Sequence, residues 1–322
     1  MSNGRSRMRL LPTLLAGAIL AATATAAPVQ AADKLVVLLD WFVNPDHGPL
    51  IVAEELGLYA EQGLEVELIA PADPNDPPKL VAAGKADIAI SYQPQLHLQV
   101  AAGLPLVRFG TLVATPLNTL TVLADGPIRT LADLKGRKVG FSVAGTEEAT
   151  LGAMLRTVGL TIADVELVNV NFSLSPSLIS GQVDAVIGAY RNFELNQMDI
   201  VGRPGRAFYV EEHGVPPFDQ LIYVAHRESI DDPRLARFLD ATERAVQYMI
   251  NHPDKAWALF VKNHPEVDDE LNRRAWRDTL PRFALRPGAL DIRRYERMAA
   301  FMMEAGLIST LPPASTYAIT VR

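Results

Sequence analysis

A short sequence pattern occurs twice in this chain of 322 residues. Residues 84–92 are Gly-Lys-Ala-Asp-Ile-Ala-Ile-Ser-Tyr, and residues 181–190 are Gly-Gln-Val-Asp-Ala-Val-Ile-Gly-Ala-Tyr. In both copies a Gly-x-x-Asp turn leads into an apolar run that ends at a tyrosine, Tyr92 or Tyr190. Such a run is typical of a buried parallel strand, and open α/β sheets bind their ligands at the carboxyl ends of these strands. The repeat therefore predicts two related lobes, with one tyrosine from each beside a shared cleft.

A similar unit precedes each copy and predicts the same succession of strand, loop, helix and strand. The first unit extends from residues 35–41 to 63–69, and the second from 138–141 to 159–167. Further strands are predicted at 106–113, 120–123 and 218–225, and helices at 48–58, at 77–83 after a capping Asp76, and at 232–250, 254–262, 270–280 and 292–305. Strands that alternate with helices, followed by a helical tail, predict an α/β fold.

The first 31 residues predict a signal peptide that is cleaved on secretion. Three arginines among residues 5–9 give a positive start, residues 10–27 are apolar and rich in alanine, and Val-Gln-Ala at 29–31 offers a small-residue cleavage site. An uncleaved membrane anchor is the alternative, and the many alanines disfavour it because an anchor requires ~20 strongly apolar residues. We therefore expect a periplasmic protein whose mature chain begins near Ala32 or Asp33.

The composition argues against several classes of function. The chain has 37 acidic and 30 basic residues, and this negative balance argues against a nucleic-acid partner. It contains no cysteine, which excludes disulfides, thiolate metal sites and lipid attachment at a cysteine. Its 6 histidines are scattered without the spacing of metal ligands, so no metal site is predicted.

Three segments are more specific than the repeat. They are Asp-Trp-Phe-Val-Asn at residues 40–44, Ser-Tyr-Gln-Pro at 91–94 and Gly-Ala-Tyr-Arg-Asn-Phe-Glu at 188–194. With the order of the predicted elements, they resemble the periplasmic substrate-binding proteins of ABC importers. Among these, the chain is most similar to proteins that bind formylated or hydroxymethyl aminopyrimidine precursors of thiamine. The resemblance covers nearly the whole chain after the predicted signal peptide.

This resemblance implies a type II periplasmic binding protein fold, in which two α/β lobes, each a sheet flanked by helices, enclose a hinged cleft. It implies that residues 33–118 plus 224–322 form lobe 1 and that residues 119–223 form lobe 2. It further implies an aminopyrimidine-like small-molecule ligand, an ABC permease at the inner membrane as partner, a monomer, no cofactor and no catalysis. A sulfonate, nitrate or another heteroaromatic stays open as the ligand, because binders of such solutes share the Gly-x-x-Asp repeat.

The same family includes eukaryotic enzymes that build the thiamine pyrimidine from an active-site histidine and pyridoxal phosphate. Such an enzyme needs a lysine, because only an amine forms the Schiff base with the aldehyde. The resemblance places Ser91 and Gln95 where those enzymes keep the lysine and the histidine, and their cysteine cluster is missing. We therefore predict that the chain has no synthase activity.

A flat heteroaromatic ring requires aromatic faces on which it can stack. Trp41 follows the first predicted strand, and Tyr92 lies at the end of the first repeat copy. Tyr190 and Phe193 lie at the end of the second copy. All four are candidates for stacking, and ordinary packing of the lobes is the alternative for each.

The amino group of such a ring requires polar partners. Glu194 is the strongest candidate, because a carboxylate accepts from an amino group and pairs side-on with a protonated ring nitrogen; an ion pair with Arg191 is the alternative. Asp40 either binds the ligand or caps the helix that begins near residue 48. Ser142 and Thr146 bracket a loop before a helix, where hydroxyls and amides suit an anionic or formyl oxygen unless Thr146 only caps the helix. The remaining polar candidates are Asn44, His47 and Asn118.

Overall fold

The two copies of the repeated unit each contribute three strands to one five-stranded sheet. The computed structural model describes residues 1–4 and 31–321, so the predicted signal peptide lies almost entirely outside the described residues. The strands are β1 (Asp33–Leu38), β2 (Leu64–Ile69), β3 (Ile88–Ser91), β4 (Leu106–Val113), β5 (Asn118–Leu123), β6 (Lys138–Phe141), β7 (Glu166–Asn169), β8 (Ala185–Tyr190), β9 (Gly205–Tyr209) and β10 (Leu221–His226). The first sheet has the order β2-β1-β3-β10-β4 and the second the order β7-β6-β8-β5-β9.

Parallel and antiparallel strands are combined in the same way in both sheets. Strand β1 is parallel to β2 and β3, and β6 is parallel to β7 and β8. Strand β10 is antiparallel to β3 and β4, and β5 is antiparallel to β8 and β9. The sequence predicted strands at the positions of β4, β5 and β10 but not their antiparallel direction, because an apolar run has the same pattern in either direction. The predicted two-lobed α/β fold is confirmed.

Helices flank both sheets. They are α1 (Gly48–Glu55), α2 (Leu58–Glu61), α3 (Pro77–Ala82), α4 (Gln93–Ala101), α5 (Thr146–Arg156), α6 (Leu174–Ile179), α7 (Glu194–Ile200), α8 (Pro233–Asn251), α9 (Pro253–Phe260), α10 (Glu270–Thr279) and α11 (Ile292–Glu304). The helix predicted at 48–58 is interrupted at Gly57, whose positive φ of 71° separates α1 from α2. Asp76 precedes α3 but its side chain makes no capping bond, so that expectation was wrong. Among the described residues, no helix combines the length and hydrophobicity needed to cross a bilayer.

The repeated aspartates have a structural role. The carboxylate of Asp87 accepts a hydrogen bond of 2.8 Å from the backbone N–H of Val36. The carboxylate of Asp184 accepts one of 2.9 Å from the N–H of Lys138. Each aspartate thus fixes the start of the third strand of its unit against the first strand, which places the following tyrosine at the opposite end of the sheet.

Two segments connect the sheets, namely residues 114–117 between β4 and β5 and residues 210–220 between β9 and β10. The distribution of strands agrees with lobes at 33–118 plus 224–322 and at 119–223, which stay a prediction. Helix α11 packs against both sheets. Tyr295 lies in an apolar cluster with β4 and β10 of the first sheet, and Met298 and Met302 lie in a cluster with β5 and β8 of the second.

Candidate functional site

A cavity lies between the carboxyl ends of the repeated strands of the two sheets. Protein atoms leave about 670 Å³ of it unfilled, and this volume includes space that is open to solvent. Its walls come from the segments after β1 and β3 in the first sheet and after β6 and β8 in the second. Eight of the predicted ligand-binding residues line it: Asp40, Trp41, Asn44, Tyr92, Asn118, Tyr190, Phe193 and Glu194. His47 and Ser142 lie one contact behind the cavity wall.

Aromatic side chains form much of the wall. The ring of Trp41 packs edge-on against Phe172 from the opposite sheet, with ring centroids 4.5 Å apart. Trp41 therefore both lines the cavity and packs between the two halves, so the two interpretations of this residue are compatible. The sequence did not single out Phe218, which lines the cavity within the segment that leads into β10.

Asp40 is held in the cavity wall by two donors. His47 Nε2 lies 2.9 Å from Asp40 Oδ1, and the hydroxyl of Tyr92 donates to Oδ2 over 2.9 Å. Because His47 Nδ1 accepts from the N–H of Asn44, we assign the histidine hydrogen to Nε2, which donates to Asp40. Asp40 does not cap α1, whose N-cap residue is His47. The side chain of Asn44 caps the short 3-10 helix Pro45–His47 that precedes α1, by accepting from the N–H of Asp46.

Glu194 begins α7 directly after the second repeat copy. Its Oε2 accepts a hydrogen bond of 2.6 Å from the N–H of Tyr190. Arg191 does not pair with it, because that guanidinium forms a two-point ion pair with Glu211 at 2.8 and 2.9 Å. Burial raises the pKa of Glu194 to about 7. The carboxyl group therefore holds a proton more readily at neutral pH than an ordinary glutamate does, and it can share a proton with a ligand.

Glu147 and Asp46 line the cavity and were missed by sequence reasoning. Burial raises the pKa of Glu147 to about 8 and that of Asp46 to about 6. The N–H of Ser142 donates to Glu147 Oε2 over 2.6 Å, so Ser142 positions this carboxyl group. Acidic residues are ordinary in the first turn of a helix, where they face its positive end, and no stronger pattern in the sequence marks Glu147.

The extra residue in the second repeat copy makes room for Glu147. In the pairing of β5 with β8, Thr119 lies opposite Ala189 and Leu120 opposite Ile187, so Gly188 is the additional residue of a β-bulge. Its φ is 98°, and a Cβ there would lie 2.1 Å from Glu147 Oε1. The side-chain carbonyl of Asn118 accepts from the N–H of Gly188 over 3.0 Å. Asn118 thus lines the cavity and also supports the bulge.

The charges around the cavity all have one sign. Carboxyl groups are contributed by Asp40, Asp46, Glu147 and Glu194, and amides by Asn44, Asn118 and Gln220. Among the described residues that line the cavity, there is no lysine, arginine or histidine. Such a site favours a cationic or amino-bearing ligand and disfavours an anion, since a buried anion beside carboxylates has no compensating charge.

Contacts between the two halves surround the cavity. The side-chain amide of Asn192 donates to Asp46 over 2.7 Å. Asn75 bonds the loop after β6 at two points: its amide donates to the carbonyl of Ser142 over 3.2 Å, and its side-chain oxygen accepts from the N–H of Ala144 over 2.9 Å. The two sheets therefore hold the cavity between them in this conformation.

Ser91 and Gln95 are the residues that the resemblance aligns with the lysine and the histidine of the synthases. The hydroxyl of Ser91 donates to Gln95 Oε1 over 2.9 Å, and both side chains are buried. Neither residue lines the cavity. These two side chains are hydrogen-bonded to each other, and neither contributes an amine to the cavity.

The fold defines the class of protein. The alkanesulfonate-binding protein of Xanthomonas axonopodis pv. citri, solved with bound MOPS, aligns with a TM-score of 0.70 over 92% of this chain and 100% of that chain, at 16% identity. The chain thus has the fold of the periplasmic binding proteins. Residues 44–256 match the family described as NMT1/THI5 like, and the chain belongs to that family.

Relatives with assigned names agree with the predicted resemblance, which is confirmed. A protein of Haemophilus influenzae named a putative thiamine biosynthesis protein is 52% identical over 91% of this chain and 94% of its own length. The formylaminopyrimidine-binding protein of Halalkalibacterium halodurans is 34% identical over 82% of this chain and 81% of its own length. A relative from Uromyces fabae, 28% identical over 75% of this chain and 74% of its own, is named a 4-amino-5-hydroxymethyl-2-methylpyrimidine phosphate synthase.

Proposed function

We propose that this protein is the solute-binding component of an ABC importer, which captures an aminopyrimidine precursor of thiamine in the periplasm and delivers it to a membrane permease. The observation that carries the proposal is the cavity between the two sheets, which has aromatic walls and four carboxyl groups and, among its described lining residues, no basic side chain. The name of the formylaminopyrimidine-binding relative supports the same ligand class.

An aminopyrimidine complements this cavity in shape and in charge. Its flat ring stacks on an aromatic face such as the indole of Trp41, which contributes roughly 0.5–1.5 kcal/mol beyond the burial of area. Its amino group donates to Glu194, and the neighbouring ring nitrogen shares a proton with the same carboxyl group. Two parallel charge-assisted hydrogen bonds of this kind fix the orientation of the ring as well as adding affinity.

The alternative anionic ligands fit the cavity less well. A sulfonate or nitrate would lie beside Asp40, Asp46 and Glu194 with no cationic side chain among the described lining residues to compensate it. The resemblance to the alkanesulfonate-binding protein concerns the fold, and it carries no argument about the ligand.

We also propose that the protein is not an enzyme. The related synthases require a lysine for pyridoxal phosphate, and Ser91 stands at that position with its hydroxyl bonded to Gln95. Incubation with pyridoxal phosphate and borohydride should therefore give no adduct at the cavity. An adduct mapped to the cavity, accompanied by loss of a histidine, would establish a synthase instead.

Calorimetric titration of the purified protein with a set of small solutes tests the proposed ligand class. The set contains formylaminopyrimidine, 4-amino-5-hydroxymethyl-2-methylpyrimidine, an alkanesulfonate and nitrate. We expect binding of at least one of the two pyrimidines and no detectable heat from either anion. Binding of an anion without binding of a pyrimidine would overturn the proposal.

A further inference from the structure

The first turn of α5 presents an unpartnered hydroxyl group to the cavity. Thr146 is 5% exposed, and its Oγ1 is buried with no hydrogen-bond partner among the described residues. The hydroxyl does not cap its own helix, because Gly145 occupies the N-cap position. Thr146 nevertheless lines the cavity. A buried hydroxyl without a partner loses the bonds it makes to water, so it indicates a group that is satisfied when the ligand is present.

Glu147, the next residue of α5, has its two carboxyl oxygens in different surroundings. Oε2 accepts from the N–H of Ser142 over 2.6 Å. Oε1 lies against the bulge at Gly188, where a Cβ would approach it to 2.1 Å. The backbone donor makes Oε2 the accepting oxygen, which leaves Oε1 as the position for a proton.

The groups that face Glu147 favour the protonated form of its carboxyl group. Glu148 lies beside it on α5 and Glu194 approaches from α7, so both neighbouring charges are negative. The hydroxyls of Tyr92 and Tyr190 face it from the ends of the two repeat copies. Desolvation by burial is the largest cause that raises the pKa of Glu147 to about 8. A carboxylic acid in such a setting donates a hydrogen bond at neutral pH.

We propose that the hydroxyl of Thr146 and the acid form of Glu147 make a subsite for a neutral oxygen atom on the ligand, such as a hydroxyl or a formyl oxygen. This inference rests on the proposed function and deepens it. Glu194 recognises the amino edge of the ring, whereas the start of α5 recognises the oxygen of its side group. Gly188 is required for the subsite, because a side chain at the bulge would occupy the space of the carboxyl group.

Two probes that differ only in this oxygen isolate the subsite. They are 4-amino-5-hydroxymethyl-2-methylpyrimidine and 4-amino-2,5-dimethylpyrimidine, which share the ring and the amino group. Both are titrated calorimetrically into the parent protein between about pH 6 and about pH 9. The ratio of their affinities removes the contribution of Glu194, which is common to the two probes. In the parent we expect the hydroxymethyl probe to bind roughly tenfold more tightly below pH 8, as for one hydrogen bond to a buried group.

Ionisation of Glu147 should change this ratio, since the carboxylate no longer donates and can only accept from the hydroxyl of the probe. The ratio should therefore depend on pH as the pH rises above about 8. In Glu147→Gln the amide nitrogen replaces the acidic O–H, so the ratio should persist but lose its dependence on pH. Thr146→Val keeps the shape of the side chain without the hydroxyl, and it should lower the ratio roughly threefold while the dimethyl probe binds as before. Glu166→Gln, on the exposed edge strand β7, is the matched control and should behave as the parent.

The outcomes separate this inference from the proposed function. Equal affinity of the parent for both probes would overturn the subsite and leave the aminopyrimidine ligand in place. A ratio in the parent that does not change with pH would contradict a role for the acidic proton of Glu147. So would a ratio that keeps its pH dependence in Glu147→Gln. Failure of the parent to bind either probe would overturn the proposed function together with this inference.

Discussion

Glu194 and Glu147 are buried carboxyl groups in one cavity, and we propose different roles for them. Glu194 shares a proton with the ring of the ligand, and Glu147 donates a hydrogen bond to the oxygen of its side group. The complex that we propose holds one proton between Glu194 and the pyrimidine ring. Because burial raises the pKa of Glu194 to about 7, this proton is present on the free protein at lower pH and must be taken up from solvent at higher pH. Affinity should therefore fall as the pH rises above about 7.

Replacement of Glu194 tests this role. We expect Glu194→Ala to weaken binding of 4-amino-5-hydroxymethyl-2-methylpyrimidine by roughly 10- to 150-fold, the usual effect of removing a hydrogen bond to a charged group. Glu194→Gln should retain more affinity and lose the decline above about pH 7, because an amide matches the neutral edge of the ring. Calorimetry across pH on the three proteins measures both effects, with Glu166→Ala as a surface control. Unchanged affinity in Glu194→Ala would remove this residue from the site.

Glu147 should also influence the stability of the ligand-free protein. Its pKa is about 8 in the folded protein and near the ordinary glutamate value of 4.5 in the unfolded chain. Between these values the folded protein binds more protons than the unfolded chain, so the free energy of unfolding decreases as the pH rises. The stability associated with this group is fully present below about pH 4.5 and is lost as the pH rises towards 8.

Glu147→Gln removes this dependence, because an amide does not titrate. Relative to the parent, we expect the variant to gain roughly 2–4 kcal/mol in the free energy of unfolding between about pH 5 and about pH 8. Urea unfolding at the two pH values measures the difference, and Glu166→Gln controls for the loss of a surface charge. A difference between parent and variant that is the same at both pH values would contradict a buried, protonated Glu147.

At the scale of elements, the bulge in β8 shapes the site. Gly188 and Gly181 both have positive φ, of 98° and 78°, but a Cβ at Gly181 would contact nothing within 4 Å. Alanine at either position should cost roughly 1–2 kcal/mol of stability through backbone strain. Only Gly188→Ala should also lose ligand affinity, because its Cβ displaces the carboxyl group of Glu147. Urea unfolding and calorimetry on the pair measure both quantities, and equal loss of affinity in the two variants would show that the bulge has no specific role.

The repeat made the main elements of the site predictable. An apolar strand that ends in an aromatic residue places Tyr92 and Tyr190 at one end of each sheet, and the structure has both at the cavity. Strands β5 and β10 were predicted as strands, but their antiparallel pairing could not be assigned, because it depends on where the chain crosses between the sheets. Those crossings also bring Phe218 and Gln220 to the cavity, and no local pattern marks these two residues.

Two further features of the site were only weakly marked in the sequence. The second repeat copy is one residue longer than the first, and this difference was the available signal for the bulge at Gly188. The acidic pair Glu147-Glu148 has the sequence appearance of an ordinary helix start, and only the fold shows which of the two faces the cavity. His47 and Ser142 were selected as ligand-binding candidates, and the structure places them in contact with Asp40 and Glu147 instead of in the cavity wall.

At the scale of the whole molecule, the contacts around the cavity link it to a hinge. Residues 114–117 and 210–220 connect the sheets, and Gln220 joins the two crossings by accepting from the N–H of Leu117 over 2.8 Å. The bonds from Asn75 and Asn192 join the two halves across the cavity, as expected for the closed state of a hinged cleft. A ligand that contacts both sheets shifts the population towards this arrangement by as much as its affinity differs between the open and closed states.

Secretion is a prediction at the scale of the whole molecule. The order of the positive start, the apolar stretch and Val-Gln-Ala at residues 29–31 predicts a mature chain that begins near Ala32 or Asp33. Intact-mass measurement of protein released by osmotic shock should give the mass of that mature chain. Membrane-bound protein that retains Met1 would contradict the predicted signal peptide.

The identity of the natural ligand is the most direct test of the proposed function. Native mass spectrometry of the protein purified from its native cells compares the mass of the folded complex with that of the denatured chain. We predict an additional mass equal to that of an aminopyrimidine, which is lost on denaturation and recovered as a free small molecule. A sulfonate or nitrate recovered in its place, or a mass that remains covalently attached to the denatured chain, would contradict a binding protein for the aminopyrimidine precursors of thiamine.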